Sequence, residues 1–449
     1  MPSNATVDSA RPPRENTVDE NLVGRYLLYF FLLVFIVSPM VDLVTRWFVS
    51  PFPSLTHLLR VGTSAWVTGL PAAEDSWGLM RAALDWFWQH PGGRMYHQLF
   101  FVEGNKFQDP PSSLLPLYIL SLFGIHPGNA ALNRFDFLVI LLNVLASGAF
   151  AFTLALRSPG CASRRWPIAA AAACGTLLFF PLLGALTIGQ VQSWISALFA
   201  FAALAWLLRR KGLSGLLIGL ICLIKPQFML FFVWGLLRRE WRFVAGWSAV
   251  ALAGLAASLS VFGVQNHLDY LSVLHALSRT GEAYRPNQSI NGVLNALYRT
   301  GDPNVWEARG FPSFNPFVYA GTVASSAALI AAALLIPLFS RQRLGLLDFA
   351  GAALTFTLAS PVAWEHDYSI LPTAYIATMF ALLIRKATPM RTLGFATLAI
   401  SYLTTAHWLS GYWMLAGILA LLTLIHALNF GARDNALGAS NQNQTQGCP

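Results

Sequence analysis

The run Trp-Glu-His-Asp-Tyr at residues 364–368 has the side-chain types that proton transfer and phosphate recognition require. It lies between two apolar runs, 344–359 and 369–384. Because polar groups are costly at membrane depth, a polar cluster at the junction of two apolar runs is a functional-site candidate. The alternative is structural: Trp364 and Tyr368 would anchor the membrane interface, and the residues between them would form a solvated turn.

Four other polar positions interrupt or flank apolar segments and are candidates for the same site. Lys225 precedes a proline inside an apolar run, and its ammonium either pairs with a lipid phosphate or simply snorkels to the surface. The amides of Gln190 and Asn287 either bind a ligand or tie a loop to a helix end. Arg285 lies in a polar loop, where it either closes over a ligand or is solvated.

The composition predicts a polytopic membrane protein. Of the 449 residues, 55% are hydrophobic and 11% are charged, and the mean hydropathy is +0.54. The net charge of +9 does not indicate a nucleic-acid partner, because the basic residues lie in short connectors between apolar runs. No phosphate-binding glycine loop, paired Asp-x-Asp or metal-ligand spacing is present, so we expect neither a metal nor a cofactor.

The apolar runs predict about twelve membrane crossings, with a disordered tail at each end (1–24 and 431–449). The run 114–125 is too short and too proline-bounded to count as a clear span. The predicted spans are 26–47, 135–156, 166–187, 191–208, the hairpin 212–237, 243–262, 317–339, 344–359, 369–384, 392–408 and 413–429.

Basic residues predict the orientation of these spans. Five connectors contain fourteen Lys and Arg residues, and the positive-inside rule puts them in the cytoplasm: 157–165, 209–211, 238–242, 341–343 and 385–391. The segment 212–237 must then go out and come back as two short helices with Lys225 at the turn. The segment 114–125 must dip in and return, or lie flat. Both termini are then cytoplasmic.

Two long loops, 49–111 and 264–316, then lie on the non-cytoplasmic face together with every candidate named above. Within the first loop, residues 75–90 have the period of an amphipathic helix, which we expect to lie along the membrane surface. The predicted location is the cell (inner) membrane, with the site facing the periplasm or the cell exterior.

The order of several short motifs resembles glycosyltransferase family 87, whose members are polyprenyl-phosphate-sugar-dependent and are typified by mannosyltransferases. The resemblance covers roughly residues 70–385. The motifs are Gly189-Gln190, Lys225-Pro226 after a glycine-rich apolar helix, Asn287-Gln288-Ser289-x-Asn291-Gly292, and Ser360-Pro361-x-x-Trp364-Glu365-His366.

The resemblance implies a GT-C-type bundle over residues 25–430 and a catalytic Asp in the first outer loop. Asp75, followed by a small-residue helix and by Tyr96, matches that Asp. The alternative for Asp75 is a helix cap. The chain departs from the family pattern in two places. Asp109 replaces an aromatic residue before a double proline and so becomes a rival acid, and Asp367 replaces a common second histidine.

The predicted reaction is transfer of a sugar, mannose in the typical case, from a polyprenyl-phosphate donor to a lipid or glycan acceptor, with inversion. Asp75 would be the base, and His366 would lie with Lys225 and Arg285 around the departing phosphate or remain a packing residue. A transporter or flippase of a lipid-linked substrate is the alternative function. Besides Asp75 and His366, the expected donor- or acceptor-binding residues are Lys225, Gln190, Arg285, Asn287, Gln288, Trp364, Glu365 and Tyr96.

Overall fold

The computed structural model describes residues 20–49, 64, 75–158, 160–339, 345–385, 389–405 and 411–430. Within these ranges the chain is all-α and contains no named strand, as predicted. The predicted tails, apart from residues 20–24, and most of the first loop before Asp75 lie outside the described residues.

Seventeen α-helices follow one another in the described ranges. They are α1 Glu20–Leu32, α2 Ser38–Val49, α3 Asp75–Gln89, α4 Leu115–Leu122, α5 Asn129–Arg157, α6 Arg165–Leu177, α7 Phe180–Ile188, α8 Gln192–Leu207, α9 Lys211–Cys222, α10 Leu230–Leu237, α11 Trp241–Thr280, α12 Ile290–Tyr298, α13 Pro316–Leu335, α14 Leu346–Leu358, α15 Leu371–Leu383, α16 Pro389–Thr405 and α17 Trp413–Phe430. Short 3-10 and π segments join several of them, including the 3-10 helix Glu365–Ile370.

Four helical stretches in the described ranges are long and apolar enough to cross a membrane. They are Asn21–Val41, Asn129–Arg157, Trp241–Thr280 and Pro316–Leu338. The bent pair α6 and α7, at 45° to each other, makes a fifth if it is counted as one span. The predicted membrane protein is therefore supported, and the number of twelve crossings stays a prediction.

The segment 212–237 goes out and comes back as predicted. Its two ends meet, because the Lys211 ammonium lies 3.4 Å from the Glu240 carboxylate. Helix α9 then runs beside the start of α11 with the backbones in close approach. A Cβ atom at Gly215 would overlap the carbonyl oxygen of Phe243. Lys225 therefore lies at the far end of the hairpin, where Pro226 cannot continue helix α9.

The segment 114–125 does not cross the bundle, also as predicted. The Ser112 hydroxyl, at the start of this segment, donates to the carbonyl of Leu223 beside the hairpin turn, at 2.6 Å. Asn129, just after the segment, accepts a hydrogen bond from Arg81 at 2.8 Å. Both ends of the segment therefore lie at the end of the bundle that holds Lys225 and helix α3.

The prediction of one long loop over 264–316 is wrong for its first third. Helix α11 continues to Thr280, with a break at Gly263, whose φ of 76° favours glycine. Asn266 and Asp269 face inward in this part of the helix and are buried. Their polarity led to the prediction of a loop. The sequence does not show that groups about 170 residues away in the chain form hydrogen bonds with them.

The described parts of the two predicted outer loops, 49–111 and 264–316, which we call the first and second outer segments, pack directly on each other. Arg94 forms an ion pair with Asp269 at 2.6 Å. Lys106 and Glu282 form a buried ion pair at 2.5 Å, with side-chain exposures of 3% and 5%. The Lys106 ammonium also lies 4.1 Å from the ring centre of Trp306. These contacts bring both segments to the same end of the bundle, which we call the site end.

Helix α3 exists as predicted, but its orientation is different from the one expected. The apolar stripe of Trp77, Met80 and Leu84 is buried in the main hydrophobic core. Trp88, at the end of the stripe, is exposed. The helix is therefore held mainly by protein contacts rather than lying with its apolar stripe on the membrane surface.

Candidate active site

Asp75 is the first residue of α3, and the turn after α7 holds it in place. Gly189 ends α7 in a left-handed conformation, with φ 66° and ψ 55°, so that its carbonyl accepts the backbone N–H of Ser76 at 3.1 Å. The Ser76 hydroxyl donates to the side-chain oxygen of Gln190 at 2.6 Å. The Gln190 amide in turn donates to Oδ2 of Asp75. Gln190 thus holds one carboxylate oxygen of Asp75.

Lys225 pairs with a residue that the sequence prediction left without a role. Its ammonium lies 3.4 Å from Oδ1 of Asp367, and the side-chain exposures are 19% and 5%. The other carboxylate oxygen of Asp367 accepts the backbone N–H of Trp364 at 2.9 Å, which caps the 3-10 helix. Two features of the sequence could have predicted this pair. Asp367 replaces a family histidine, and a lysine within an apolar run needs a counter-charge.

Asp109 belongs to the same charge cluster. Burial raises its pKa, Lys225 opposes that effect, and Asp367 and Asp75 add to it. Three carboxylates are therefore close enough to one ammonium to influence one another. Tyr96, which is fully buried, donates its hydroxyl to the backbone carbonyl of Asp109 at 2.5 Å and so fixes the backbone at this residue.

His366 lies against this cluster with one ring nitrogen unused. The residue is 6% exposed, and its Nε2 has no hydrogen-bond partner among the described residues. Burial lowers the pKa of His366, while Asp367 and Asp75 raise it and Lys225 lowers it. The net result is a buried imidazole that favours the neutral form and has a ring nitrogen free for a ligand.

Glu365 and Trp364 face a different set of groups. Burial raises the pKa of Glu365 to about 8, so near neutral pH much of this residue is protonated. The Trp364 ring packs edge-on against Trp306, with 5.5 Å between ring centres. Tyr284 is also near, since burial and then the Glu365 charge raise the pKa of its hydroxyl. This side of the 3-10 helix is therefore an aromatic wall with one weak acid.

The Asn287 side chain is fully engaged inside the protein. Its amide donates to the carbonyls of Glu282 (2.9 Å) and Pro361 (3.2 Å). Its oxygen accepts the backbone N–H of Ala363 at 2.9 Å. The amide therefore holds the segment before Trp364 against the second outer segment. Both side-chain hydrogens and the side-chain oxygen of Asn287 therefore have partners inside the protein. Ligand binding by Asn287 stays a prediction.

Gln288 ties the same segment to the last helix. Its amide donates to the carbonyls of Arg285 (2.9 Å) and Gly411 (3.2 Å), and its oxygen accepts the backbone N–H of Leu415 at 3.2 Å. The hydroxyl of buried Tyr368 donates to the Gln288 backbone carbonyl at 2.8 Å. These contacts connect the motif near Asn287 with the 364–368 run.

Arg285 is placed apart from the Lys225 cluster. Its guanidinium donates to Asn304 at 2.5 Å, and its backbone N–H donates to the carbonyl of Pro303 at 2.8 Å. Among the described residues it forms no ion pair with a carboxylate. The structure thus brings Asp75, Gln190, Lys225 and His366 together, while Arg285 lies on the neighbouring loop.

The model of glycosyltransferase family 87 matches residues 107–361 of the 449-residue chain. Neither the comparison with curated proteins nor the comparison with solved structures found a significant match. The matched range contains Asp109, Gln190, Lys225 and Asn287, whereas Asp75 lies before it and the 364–368 run lies after it. The match confirms the resemblance seen in the sequence motifs. The chain belongs to glycosyltransferase family 87 and is a membrane glycosyltransferase.

Proposed function

We propose that this glycosyltransferase takes its sugar, mannose, from a polyprenyl-phosphate donor and transfers it to a lipid or glycan acceptor on the non-cytoplasmic face. One observation carries the proposal. An acid, a cation and a buried imidazole converge at the site end although they are far apart in the sequence: Asp75, Lys225 and His366, whose Nε2 no described residue hydrogen-bonds.

Lys225 is the group proposed to bind the donor phosphate. Its contact with Asp367 is 3.4 Å long and the lysine is partly exposed, so an anion can approach the ammonium from the open side. Negative charge develops on the departing phosphate as its bond to the sugar breaks, and a fixed cation stabilises that charge. Burial in the bundle strengthens the effect because the local dielectric constant is low.

Asp75 is the proposed general base. Gln190 occupies one of its carboxylate oxygens, which leaves the other for the acceptor hydroxyl. The acceptor proton moves to Asp75, the acceptor oxygen bonds to the anomeric carbon, and the bond to the phosphate oxygen breaks. Polyprenyl phosphate leaves with the electron pair, and the configuration is inverted. A positioned base of this kind typically contributes about 10²- to 10⁴-fold in rate.

Asp109 is the alternative base. Its raised pKa makes it a stronger base when ionised, but leaves a smaller fraction ionised at a given pH. Tyr96 fixes the backbone carbonyl of Asp109, whereas Gln190 holds the carboxylate of Asp75 itself. Parallel Asn substitutions at the two positions distinguish these acids.

The proposed donor is tested by transfer from a labelled lipid. Purified protein in detergent receives radiolabelled polyprenyl-phosphate-mannose and an acceptor lipid extract, and both the released polyprenyl phosphate and the labelled acceptor are measured. We expect equal amounts of the two products. Transfer from a nucleotide sugar alone, with no turnover of any polyprenyl-phosphate sugar, would contradict the proposal.

The proposed face is tested with single-cysteine labels in a cysteine-free background. Ser163 lies in a basic connector and Glu307 lies in the second outer segment, and both residues are exposed. An impermeant thiol reagent added to intact cells should label Glu307→Cys and leave Ser163→Cys unlabelled. Equal labelling of the two variants would contradict the orientation.

A further inference from the structure

Helix α5 carries a row of buried polar residues on one face, and the proposed mechanism does not use them. Asn133, Asp136, Asn143 and Ser147 are each at most 2% exposed. Each has a side-chain atom without a hydrogen-bond partner among the described residues. Polar groups are rare in the interior of such a long apolar helix, so the row requires an explanation. Two of its members reach the helix that begins with Asp75.

Asp136 makes its contact through Ser193, the second residue of α8. Ser193 Oγ lies within hydrogen-bonding distance of Oδ1 of Asp136 and 3.0 Å from the backbone carbonyl of Gln190. A hydroxyl has a single proton to donate, and a backbone carbonyl can only accept. If Ser193 donates to Gln190, then Asp136 must donate to Ser193. Both contacts are made only when Asp136 carries its proton.

The surroundings of Asp136 favour that protonated form. The residue is fully buried, and the polar side chains beside it are the neutral Ser193 hydroxyl and Trp194 indole; at hydrogen-bond distance, Oδ2 has no partner among the described residues. None of the ion pairs formed by the described residues involves Asp136. An unpaired carboxylate in the low-dielectric interior is strongly disfavoured, whereas a neutral acid can donate one hydrogen bond.

The hydrogen-bond chain continues to the proposed base. Ser193 contacts the backbone carbonyl of Gln190, and the side chain of Gln190 donates to Oδ2 of Asp75. A second link runs in parallel, because the indole N–H of Trp77 donates to the side-chain oxygen of Asn133 at 3.0 Å. Helix α5 therefore holds the first turn of α3 at two points.

We propose that Asp136 is a positioning residue: in its protonated form it orients Ser193, which fixes Gln190 and thereby the carboxylate of Asp75. This inference rests on the proposed role of Asp75 as the base. It explains why an acid is retained inside an apolar helix that a leucine would otherwise suit. It also predicts that the proton of Asp136, rather than a negative charge, is the property required.

Substitutions at Asp136 separate those two properties. Asp136→Asn keeps the size and donates to Ser193 through an amide N–H in place of the acid O–H, whereas Asp136→Leu removes the donor. We expect Asp136→Leu and Ser193→Ala to lower kcat about tenfold with the donor KM within about twofold, because a misplaced base affects the transition state more than donor binding. Asp136→Asn should retain kcat within about threefold. Asn143→Leu, on the same face but without a described contact to the site, is the matched control and should behave as wild type.

A double mutant tests whether the effect passes through Gln190. Gln190→Ala removes the last link to Asp75, so adding Asp136→Leu should cost nothing further in kcat. Independent, multiplying losses would overturn the proposal, and so would full activity of Asp136→Leu. An Asp136→Asn variant as impaired as Asp136→Leu would also overturn it, because the charge itself would then be required.

Infrared spectroscopy tests the proton without any activity assay. The difference spectrum between wild type and Asp136→Asn should show loss of one carboxylic-acid carbonyl band. If wild type and Asp136→Asn show no such difference, the proposal is overturned even in a fully active enzyme. If wild type shows the band but transfers no sugar from polyprenyl-phosphate donors, the proposed function fails while the protonated state of Asp136 stands.

Discussion

Two ion pairs at different places in the bundle show how a structural pair differs from a functional one. Arg238 donates to both oxygens of Asp348, at 2.7 and 2.8 Å, and to the carbonyls of Ala333 and Leu334, at 2.9 and 3.1 Å. Both charged side chains are at most 3% exposed. Lys225 and Asp367 instead meet at 3.4 Å, with Lys225 19% exposed. The first pair is saturated with partners, whereas the second has capacity left for a ligand.

The difference extends to the neighbours of each pair. Beside Lys225 lie further carboxylates and an imidazole nitrogen that no described residue hydrogen-bonds, so polar groups there are in excess of what the described fold uses. A native protein retains such unsatisfied groups mainly where they serve binding or catalysis. Around Arg238, by contrast, two carbonyls at the end of α13 accept two of the hydrogens that Asp348 does not bind. Substitutions at the two pairs should therefore affect different properties.

The largest effect is expected at Asp75, the proposed base in the Lys225 cluster. Asp75→Asn should lower kcat by about 10²- to 10⁴-fold, because the amide cannot accept the acceptor proton. Stability should change little, because asparagine begins a helix about as well as aspartate. Activity and the midpoint of thermal unfolding are measured on the same preparation. Asp109→Asn serves as the parallel variant.

The two Asn variants also decide between the acids. Near-normal activity of Asp75→Asn together with an inactive Asp109→Asn would transfer the base role to Asp109. Full activity of both variants would contradict the proposed site altogether.

The saturated pair should affect stability instead. Arg238→Met leaves Asp348 buried and unpaired, which typically lowers the free energy of unfolding by about 3–5 kcal/mol. The fraction that remains folded should have normal kcat and donor KM. Denaturant unfolding in detergent measures the first quantity. The double variant Arg238→Met/Asp348→Leu should recover much of the loss, and an unchanged stability in the single variant would contradict a structural role.

The last effect concerns the pH dependence of stability. The folded-state pKa of Glu365, about 8, exceeds the unfolded value of about 4.3. The folded state therefore binds the proton more tightly, and this contribution is fully present below pH about 4.3 and is lost as pH rises towards 8. Glu365→Gln should gain unfolding temperature relative to wild type between pH about 5 and 8. A difference that is constant with pH would contradict burial of this carboxyl.

Local sequence patterns predicted the helices and the hairpin turn because the relevant physics is local. Lys225 could be placed at a turn because Pro226 lacks the N–H that a continuing helix needs. The basic connectors predicted that 212–237 returns to its starting end, and the Lys211–Glu240 contact bears this out. The family was also recognisable, since its motifs are short and ordered along the chain.

Partners that are distant in the sequence could not be predicted in the same way. Asp367 was not assigned to Lys225, because nothing local connects residues that are 142 positions apart. Asn266 and Asp269 were read as loop residues, although partners in the first outer segment satisfy them within a helix. Residue type also does not show whether an amide such as Asn287 binds a ligand or the protein itself. That distinction depends on the packed structure.

The central claim is that the under-satisfied pair binds the lipid phosphate and the saturated pair does not. Equilibrium binding of polyprenyl phosphate to wild type, Lys225→Met and Arg238→Met tests it most directly. We expect Kd to rise about tenfold to a hundredfold in Lys225→Met, the usual cost of losing one charge-assisted contact, and to stay unchanged in folded Arg238→Met. An unchanged Kd in Lys225→Met, or an equal rise in both variants, would contradict the account.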